Sequence, residues 1–354
     1  MKALILSGGT GSRLRPFTHS TAKQLLPVAN KPVLVHCLEN IRDAGVTEAA
    51  LVVGAHAAEI AGVVGDGSAF GLDLTYLHQD RPLGLAHCVQ LARDFLGDDD
   101  FVMYLADNVL ADGIGKAARA FAAERADALL LVQPVADPRA YGVVEVGAGG
   151  RVERLVEKPA EPVSDFAALG VYFFTSRIHQ AVAGLRPSAR GELEITDAVQ
   201  RLVEDGAPVR AERYDGYWKD TGRAEDLLDC NRELLARLTG TTVHGEVDGT
   251  STLSGPVVIE PGARVHGSRL TGPLVIAAGS TVTNCTVGPY ASVGRDCVLR
   301  DTSVADSILL EGAAVDGVPG LDHSIIGRWA RIGRSAASGH QLLVGDHANA
   351  EVAA

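Results

Sequence analysis

The sequence predicts an α/β protein, with a Rossmann-like mixed, mainly parallel sheet over residues 1–240 and a parallel β-helix over residues 241–354. Three observations predict this fold class. The 354 residues exceed the usual size of one domain. In the first part, apolar strand-like runs alternate with helical patterns, which is typical of a parallel sheet with helices on its faces. After about residue 240, a six-residue apolar repeat replaces the helical pattern, and this repeat is typical of a β-helix.

The first domain is predicted from five strand-like runs and four helical patterns. We expect strands at 2–6, 50–53, 101–105, 128–132 and 170–174, and helices at 33–44, 85–95, 115–124 and 194–204. In such a sheet, ligands bind at the carboxyl ends of the strands. The stretch 223–238 carries an apolar stripe of leucines, so we expect it to form a helix that links the two domains.

The second domain is predicted from apolar residues spaced six apart, with small or turn residues between them. The pairs are Ile259 and Val265, Ile276 and Val282, Val287 and Val293, Val298 and Val304, and Ile326 and Ile332. This spacing lets each short strand stack on the equivalent strand of the next coil. A β-sandwich with glycine-rich turns stays open as the alternative, because several repeats are imperfect.

Composition excludes several classes of protein. The formal net charge of −12 argues against non-specific nucleic-acid binding, which needs a broad basic surface. The apolar runs are too short to span a bilayer, and the apolar run 3–6 is too short for a signal peptide, so we expect a cytoplasmic protein with no membrane partner. The five cysteines form no C-x-x-C pair, which favours buried reduced thiols over disulfides or a zinc site.

The amino terminus is the segment most informative about function. A glycine-rich loop, S-G-G-T-G-S-R from Ser7 to Arg13, follows the first strand, and no acidic residue precedes Glu39. The cations of this stretch are Lys2, Arg13, Arg15, Lys23 and Lys31. A cationic start in an acidic protein favours a bound anion, and a glycine loop after a strand suits a phosphate. The loop matches neither the Walker P-loop nor the dinucleotide fingerprint, so taken alone it is equally consistent with a structural turn.

Several motifs in order resemble the sugar-1-phosphate nucleotidylyltransferases, and among them the long glucose-1-phosphate thymidylyltransferases that end in a left-handed β-helix. The motifs are G-G-T-G-S-R-L-R-P at 8–16, K-Q-L-L-P-V-A-N-K-P at 23–32, P-L-G-L-A-H at 82–87, Y-L-A-D-N at 104–108, Y-G-V-V-E at 141–145, E-K-P at 157–159, A-R-G-E-L-E-I-T-D at 189–197 and W-K-D-T-G at 218–222. Their number and order make the resemblance more specific than any single motif. It covers nearly all of the first domain.

The resemblance implies a role for each residue of a candidate site. For the nucleotide it implies Gly8, Gly9, Thr10, Gly11, Ser12, Arg13, Gln24, Gln79 and Gly84, with Gln24 and Gln79 at the pyrimidine. For the sugar phosphate it implies Asn108, Tyr141, Gly142, Glu157, Lys158, Tyr172, Arg190 and Glu192. Arg13, Lys23, Asp107 and Lys158 are the implied catalytic residues.

Asp107 and Asp220 resemble the family's two Mg²⁺ carboxylates. Asp107 ends an apolar strand-like run, and Asp220 follows a second apolar start at Tyr217 and Trp218. Magnesium prefers few protein carboxylates together with phosphate oxygens and water, which fits a site of two aspartates. Taken separately, each aspartate is also explained as a capping or turn residue.

The implied reaction joins dTTP to α-D-glucose 1-phosphate, giving dTDP-glucose and pyrophosphate by a single in-line displacement that depends on Mg²⁺. Both substrates are anions, and at an effective dielectric of about 20 two unit charges ~4 Å apart repel by about 4 kcal/mol. The cations and the metal are expected to offset this repulsion. The attacking phosphate is already ionised at neutral pH, so positioning and charge neutralisation carry the rate without a general base.

Other functions stay open on the sequence. The same chemistry with UTP or another sugar phosphate is the nearest alternative. A bifunctional enzyme with acyltransferase activity in the coil would need a catalytic histidine, and His266, His323, His340 and His347 are available without a recognised context. A non-catalytic nucleotide-sugar sensor is disfavoured because the implied cations and aspartates are all present. We also expect a homo-oligomer, with a structural or oligomerising coil.

Overall fold

The computed structural model describes residues 1–334 and residue 347, so His340 and the last part of the predicted coil lie outside the described residues. The chain divides into two compact units. The first unit contains residues 1–10 and 33–220, and the second contains residues 11–32 and the chain from residue 221 onward.

The part of the chain before residue 240 contains thirteen strands and eight α-helices. The strands are β1 Lys2–Ser7, β2 Pro27–Val28, β3 Lys31–Pro32, β4 Glu48–Val53, β5 Asp73–His78, β6 Phe101–Leu105, β7 Asn108–Leu110, β8 Ala128–Pro134, β9 Gly142–Val146, β10 Val152–Glu157, β11 Phe166–Phe174, β12 Val209–Arg213 and β13 Trp218–Asp220. The helices are α1 Val33–Asp43, α2 Ala57–Val64, α3 Leu85–Leu91, α4 Arg93–Leu96, α5 Gly115–Glu124, α6 Ile178–Ala183, α7 Ile195–Glu204 and α8 Ala224–Ala236.

The first unit is built on a nine-stranded mixed sheet. Its main path runs β10-β9-β11-β6-β1-β4-β5, with β8 also beside β11 and β12 beside β8. Strands β6, β1, β4 and β5 are parallel neighbours, whereas β11 runs antiparallel to β6, β8 and β9. The central strands β1 and β6 are apolar along their length because helices cover both faces of such a sheet. This architecture confirms the predicted α/β class.

Helix α7 shows how the sequence builds the cover of this sheet. Ile195, Ala198, Val199 and Leu202 are buried at positions one turn apart, while Asp197, Gln200, Arg201 and Glu204 place polar side chains on the rest of the helix. Such an apolar stripe buries itself against the sheet core, and each large apolar side chain contributes about 1.5–3 kcal/mol relative to an exposed one.

The second unit contains the coil. Its strands are β14 Thr242–Val243, β15 Glu246–Val247, β16 Thr252–Ser254, β17 Val257–Ile259, β18 Arg264–His266, β19 Arg269–Thr271, β20 Leu274–Ile276, β21 Thr281–Thr283, β22 Thr286–Val287, β23 Ala291–Val293, β24 Val298–Arg300, β25 Ser303–Val304, β26 Ile308–Leu309, β27 Ala314–Asp316, β28 Ile325–Ile326 and β29 Arg331–Gly333. They stack into three parallel sheets, as a left-handed β-helix requires.

The six-residue repeat has a direct structural meaning. Ile259 on β17 and Val265 on β18 lie in neighbouring sheets of one coil, and both are buried. The next coil repeats the pair, since Ile276 lies beside Ile259 and Val282 lies beside Val265 in parallel register. Six residues therefore separate these two sheets, whereas the buried Leu270 of the third sheet follows Val265 by five, so one coil from Ile259 to Ile276 takes 17 residues. The buried apolar residues fill the coil interior. The β-sandwich alternative is wrong.

The compact units do not divide at residue 240, where the domain boundary was predicted. The change from helix to short strands does fall there, between α8 and β14. However, α8 packs on β2, and both belong to the unit of the coil. The predicted boundary depended on local patterns, whereas these contacts join segments about 200 residues apart.

Within the described residues, no helix is long and apolar enough to cross a membrane. The expected cytoplasmic location stays a prediction.

Candidate active site

The carboxyl ends of four parallel strands form one edge of the sheet in the first unit. The loops that follow β1, β4, β5 and β6 begin at Gly8, Gly54, Gln79 and Ala106. The Ala106 N–H donates to the Leu6 carbonyl at 3.0 Å, which sets the start of one loop beside the end of β1. Because parallel neighbours end at the same edge, the glycine loop and Asp107 lie close together.

Gly8 has space for no larger residue without displacing a neighbour. A Cβ atom there would lie 3.2 Å from the Gln79 Oε1 atom. A Cβ atom on Gly54 would lie 3.5 Å from the Gly8 carbonyl oxygen, so the two loops are in contact. Ser7, which precedes Gly8, is buried, and its hydroxyl has no hydrogen-bond partner within the described residues. The backbone of Gly8, which has no side chain of its own, and the hydroxyl of Ser7 are therefore polar groups that a ligand can bind at this edge.

The Gln79 side chain is held in one orientation by α3. Its Nε2 atom lies 2.9 Å from Nδ1 of His87 and donates to Sγ of Cys88 at 3.3 Å. The amide oxygen is then on the side of Gly8. Burial raises the pKa of the Cys88 thiol to about 12, so this thiol stays protonated and neutral at pH 7.

Gly84 is the residue before α3 and has a φ of 102°, a conformation that favours glycine. A Cβ atom there would lie 2.4 Å from the Leu193 carbonyl oxygen. The Cys88 thiol donates to the Gly84 carbonyl at 3.7 Å. Gly84 therefore lies beside the Gln79 cluster.

Asp107 and Asp220 are brought together by a short antiparallel pair. β13 pairs with β7, and in this register Asp220 lies opposite Asn108, the neighbour of Asp107. The Asn108 amide donates to Asp107 Oδ1 at 3.0 Å and accepts from Nε1–H of Trp218 at 2.8 Å. Asn108 is buried, so these bonds fix its orientation between the two aspartates.

Gly170 gives the backbone the close approach that this pair needs. It has a φ of 72°, and a Cβ atom there would lie 3.2 Å from Cγ of Asn108 and 2.9 Å from Leu105. A side chain at this position in β11 would therefore push against the residue beside Asp107.

The carboxylates fit a divalent cation that has few protein ligands. The described residues contain no group of three or more His, Cys, Asp and Glu side chains that could hold a metal alone. Two aspartates at one edge, beside bare glycine backbone, match the preference of magnesium for one or two carboxylates completed by phosphate oxygens and water. Asp107 and Asp220 are the residues that would hold such a metal.

A second polar group lies where β9 begins and β10 ends. Gly142 pairs with Glu157, and the Lys158 N–H donates to the Tyr141 carbonyl at 2.9 Å. The Tyr141 ring packs edge-on against Trp218, with centroids 5.4 Å apart. Since Trp218 also bonds Asn108, a continuous chain of contacts joins the E-K-P motif to the two aspartates.

The cations of this group are paired with carboxylates. Lys158 Nζ lies 3.1 Å and Arg190 Nη1 lies 3.2 Å from the Glu157 carboxylate. Arg190 also contacts Glu192 at 3.5 Å and Glu194 at 3.3 Å. Side chains of Lys158 and Arg190 are each 41% exposed, so both ammonium and guanidinium groups are accessible to a solvent-borne anion.

Carboxylates of this cluster repel one another. Burial raises the pKa of Glu194, and the charge of Glu157 adds to it, against the opposing effects of Ser188 and Arg190. Burial and the charge of Glu157 also raise the pKa of Asp197. Tyr172 is buried, and its phenol pKa is raised by burial and by Glu157. The cluster carries more negative than positive groups. Its carboxylates suit ligand hydroxyls, which donate hydrogen bonds, and its cations suit a phosphate, which accepts them.

The second unit carries the remainder of the predicted nucleotide residues. Gly11 has a φ of 65°, and a Cβ atom there would lie 2.9 Å from Cβ of Lys23 and 2.9 Å from the Thr18 methyl group. Thr18 Oγ1 donates to the Gly11 carbonyl at 2.7 Å. Lys23 therefore lies beside Gly11 of the glycine loop.

Gln24 follows Lys23 in a short 3₁₀ turn and is only 1% exposed. Its Oε1 atom has no hydrogen-bond partner within the described residues. An amide oxygen buried in this way costs about 1–3 kcal/mol, which a donor from a ligand or a water would remove.

The division of the chain separates the predicted site residues into two sets. The first unit contains Gly8, Gly9, Thr10, Gln79, Gly84, Asp107, Asn108, Tyr141, Gly142, Glu157, Lys158, Tyr172, Arg190, Glu192 and Asp220. The second contains Gly11, Ser12, Arg13, Lys23 and Gln24.

Sequence reasoning missed three side chains that orient predicted site residues. They are Trp218 on Asn108, His87 on Gln79, and Thr196, whose hydroxyl donates to Glu157 at 3.3 Å. All three lie inside the quoted motifs, which was the only signal. Their hydrogen bonds depend on side-chain directions that spacing does not determine.

Comparisons with known proteins agree with this arrangement. A family model described as nucleotidyl transferase matches residues 2–237. A glucose-1-phosphate thymidylyltransferase of Streptomyces griseus is 51% identical over 354 residues, covering 99% of each chain, and one of Streptomyces antibioticus is 48% identical with the same coverage. A crystal structure assigned as a glucose-1-phosphate thymidylyltransferase of Bacillus anthracis, in complex with sucrose, has a TM-score of 0.63 at 35% identity. The match covers 68% of this chain and 97% of that one.

Proposed function

The chain belongs to the nucleotidyl transferase family, and we propose that it transfers a thymidylyl group from dTTP to α-D-glucose 1-phosphate, giving dTDP-glucose and pyrophosphate. Full-length similarity to the two Streptomyces enzymes supports the substrate pair. The coil is included in that similarity, because the matches cover nearly the whole chain.

One observation carries the proposal. Residues 8–10 of the glycine loop, the two aspartates and the E-K-P lysine all belong to one unit. Gly8 and Asp107 follow neighbouring parallel strands, and contacts through Trp218 and Tyr141 lead from Asn108, beside Asp107, to Lys158. At this edge, the glycine-loop backbone can bind phosphates, the two aspartates can bind a metal cation, and the E-K-P lysine can bind a second phosphate. Such a set serves a reaction between two polyanions, since each part offsets negative charge.

We assign the residues to substrates as follows. The nucleotide is bound by Gly8, Gly9, Thr10, Gly11, Ser12, Arg13, Gln24, Gln79 and Gly84, and the sugar phosphate by Asn108, Tyr141, Gly142, Glu157, Lys158, Tyr172, Arg190 and Glu192. Arg13, Lys23, Asp107 and Lys158 are the catalytic residues. Members of this family use a divalent metal, and we assign Mg²⁺, held by Asp107 and Asp220, which offsets phosphate charge when it is bound.

The mechanism follows from the paired cations. An incoming sugar phosphate displaces Glu157 from Lys158 and Arg190, and the freed carboxylate accepts hydrogen bonds from sugar hydroxyls. Lys158 and Arg190 then hold the attacking phosphate, whose oxygen is already ionised at pH 7, so no residue has to remove a proton. Arg13 and Lys23 hold the triphosphate and offset the charge that develops on the leaving pyrophosphate.

Gln79 supplies the choice of base. Its Nε2 atom is engaged by His87 and Cys88, so the amide oxygen is the group presented near the glycine loop. An amide oxygen accepts a hydrogen bond from N3–H of thymine or uracil, whereas cytosine has an acceptor at N3. The geometry therefore supports a pyrimidine with a donor at N3. It does not separate thymine from uracil, so a uridylyltransferase is the second candidate.

Initial rates of pyrophosphate release test the assignment, with dTTP, UTP, CTP and ATP each paired with glucose 1-phosphate and with galactose and mannose 1-phosphates. We expect the highest kcat/KM with dTTP and glucose 1-phosphate. A preference for UTP would overturn the thymidylyl assignment, and equal use of CTP would overturn the role of Gln79.

The other functions considered from the sequence have separate tests. An acyltransferase in the coil would release a free thiol from acetyl-CoA when a dTDP-sugar is offered, and we expect none. His266 lies 4.0 Å from Asp248, and His323 lies 3.0 Å from Asp306, so both imidazoles have a carboxylate partner.

A sensor would bind dTDP-glucose without turnover. The homo-oligomer stays a prediction, which light scattering of the full chain tests.

A further inference from the structure

We propose that Asn231, on α8, positions the nucleotide-binding segment 11–32 against the coil, so that the coil supports this segment. The inference rests on the proposed role of Arg13 and Lys23 at the nucleotide. It assigns a purpose to the second domain that needs no separate activity in the coil.

Asn231 is fully buried and joins three parts of the second unit. Its Oδ1 atom accepts a hydrogen bond from the Ala29 N–H at 2.9 Å and from the Ser292 hydroxyl at 2.6 Å. Its Nδ2 atom donates to the Tyr290 carbonyl at 3.1 Å. The first partner is in the segment, and the other two are in the coil. One amide thus ties α8, the segment and the coil together.

The Ala29 contact lies at a turn that needs outside support. Ala29 and Asn30 join β2 to β3 in a two-residue hairpin, with φ of 49° and 61°. A residue with a Cβ atom disfavours this left-handed conformation, by about 1–2 kcal/mol for alanine. Asn30 adds a second tie, because its Nδ2 atom donates to the Val293 carbonyl at 2.8 Å. Helix α8 thus holds Ala29 through Asn231, and the coil holds Asn30.

The segment is also held on the other side of Lys23. Arg328, in the coil, donates to the Ser20 carbonyl at 3.2 Å. The ring of Phe17 lies 3.9 Å from the position of a Cβ atom on Gly327. The short turn that carries Lys23 therefore lies between two attachments to the coil, at Ser20 and at Asn30.

A buried asparagine in this place is an unusual choice for stability alone. An apolar side chain of similar size would fill the space, and a buried amide repays its desolvation only when its hydrogen bonds are made. What the amide adds is a defined position, because Oδ1 and Nδ2 need partners in fixed directions. We infer that Asn231 selects one position of the segment, and with it the position of Arg13 and Lys23.

The test measures Michaelis constants for both substrates in full-length variants. For Asn231→Ala, we expect the KM for dTTP to rise about tenfold, since the loss of a buried hydrogen bond of this kind has an effect of that order. The KM for glucose 1-phosphate is expected to stay within about twofold. The conservative variant Asn231→Asp keeps acceptors for Ala29 and Ser292, and we expect it to restore most of the nucleotide affinity.

Asp248→Ala is the matched control. Asp248 is also a hydrogen-bonding centre of the coil, accepting from Ser251 at 2.6 Å and from Thr250 at 2.7 Å, and these partners, like Gly267 and His266, lie within the coil. We expect this variant to lower the melting temperature without changing the KM for dTTP. A rise like that of Asn231→Ala would mean that any damage to the coil has this effect, and would overturn the specific role of Asn231.

Asn30→Ala keeps the inference testable if Asn231→Ala does not fold. Asn30 is only partly buried, and its loss removes the tie to Val293 alone. A raised KM for dTTP supports the inference, and an unchanged KM overturns it.

Arg13→Ala separates the two proposals. If Arg13→Ala leaves the KM for dTTP unchanged, the proposed function of the segment fails. If only Arg13→Ala raises it, the positioning role of Asn231 fails alone.

Discussion

Replacing Trp218 by phenylalanine tests whether the hydrogen bond to Asn108 sets the geometry beside the aspartates. Trp218 is 9% exposed, and its Nε1–H donates to the buried Asn108 Oδ1 at 2.8 Å. Phenylalanine keeps an aromatic ring near Tyr141 but removes the donor. The amide oxygen of Asn108 is then left without this partner, which costs about 1–3 kcal/mol for a buried acceptor.

The same loss is expected in catalysis, because Asn108 also donates to Asp107. If all of it were felt in the transition state, kcat would fall by a factor of about 5 to about 150, at about 1.4 kcal/mol for each tenfold. Urea denaturation gives the free energy of unfolding, and pyrophosphate release gives kcat and KM. We expect kcat to fall, with both Michaelis constants changed by less than about threefold.

Trp329→Phe is the matched control for this experiment. The chain contains two tryptophans, and Trp329 is 65% exposed, so the same substitution there removes no buried donor. We expect a change in unfolding free energy within about 0.5 kcal/mol, as for ordinary surface positions. If Trp218→Phe matched this control in stability and in kcat, the reasoning about the Asn108 bond would be refuted.

Three further changes test other parts of the account. Gly84→Ala places a Cβ atom 2.4 Å from the Leu193 carbonyl at a φ of 102°, so we expect a loss of at least about 1 kcal/mol of unfolding free energy, and equal stability would contradict the crowding argument. Asp306→Asn removes a carboxylate that bonds Arg232. Burial alone would raise the pKa of Asp306, but its hydrogen bonds, above all that from Arg232, lower this pKa. The stability that the Asp306 carboxylate contributes is present above its ordinary pKa of 3.8 and is lost as the pH falls below that value. We therefore expect the variant to be less stable than the wild type at pH 7, and the difference in unfolding free energy to shrink towards pH 3. A difference that stays constant with pH would count against the ion pair. His87→Ala frees the Gln79 amide to turn, so we expect the preference for dTTP over dCTP in kcat/KM to fall about tenfold, and an unchanged ratio would show that His87 does not set this amide.

Local patterns were enough to predict the elements of the sheet. The runs at 101–105 and 115–124 are the strand β6 and the helix α5 with the predicted bounds. Strand β11 was predicted only from 170, yet it begins at Phe166. Its first residues pair with β8 and β9, and such antiparallel partners leave no mark on the periodicity of one strand.

The repeat of the coil was predictable for a different reason. Each coil buries its apolar residues against the neighbouring coil, so equivalent positions of successive coils must be apolar. Ile259, Ile276 and Val293 therefore recur in register at a regular spacing. One imperfect repeat displaced a buried position, because Leu299 rather than the predicted Val298 lies beside Val282 and is buried.

Contacts between distant parts of the chain were not predictable. Asn231 meets Ala29 across about 200 positions, and nothing near either residue indicates the other. This is why the compact units divide the glycine loop at residue 10, while the sequence indicated a single boundary at 240. In the same way, the motifs implied Glu157, Lys158 and Arg190 as sugar-phosphate residues but not the ion pairs of Glu157 with the two cations, since ion pairs depend on side-chain directions.

The central claim is that Asp107 and Asp220 hold the divalent ion that allows two anionic substrates to react. The most direct measurement is pyrophosphate release from dTTP and glucose 1-phosphate over a range of Mg²⁺ concentrations, in the wild type and in Asp107→Asn and Asp220→Asn, with the melting temperature of each. We expect each variant to lose at least about 100-fold in kcat at saturating Mg²⁺ with a melting temperature close to that of the wild type. Rates near those of the wild type in either variant would contradict the claim.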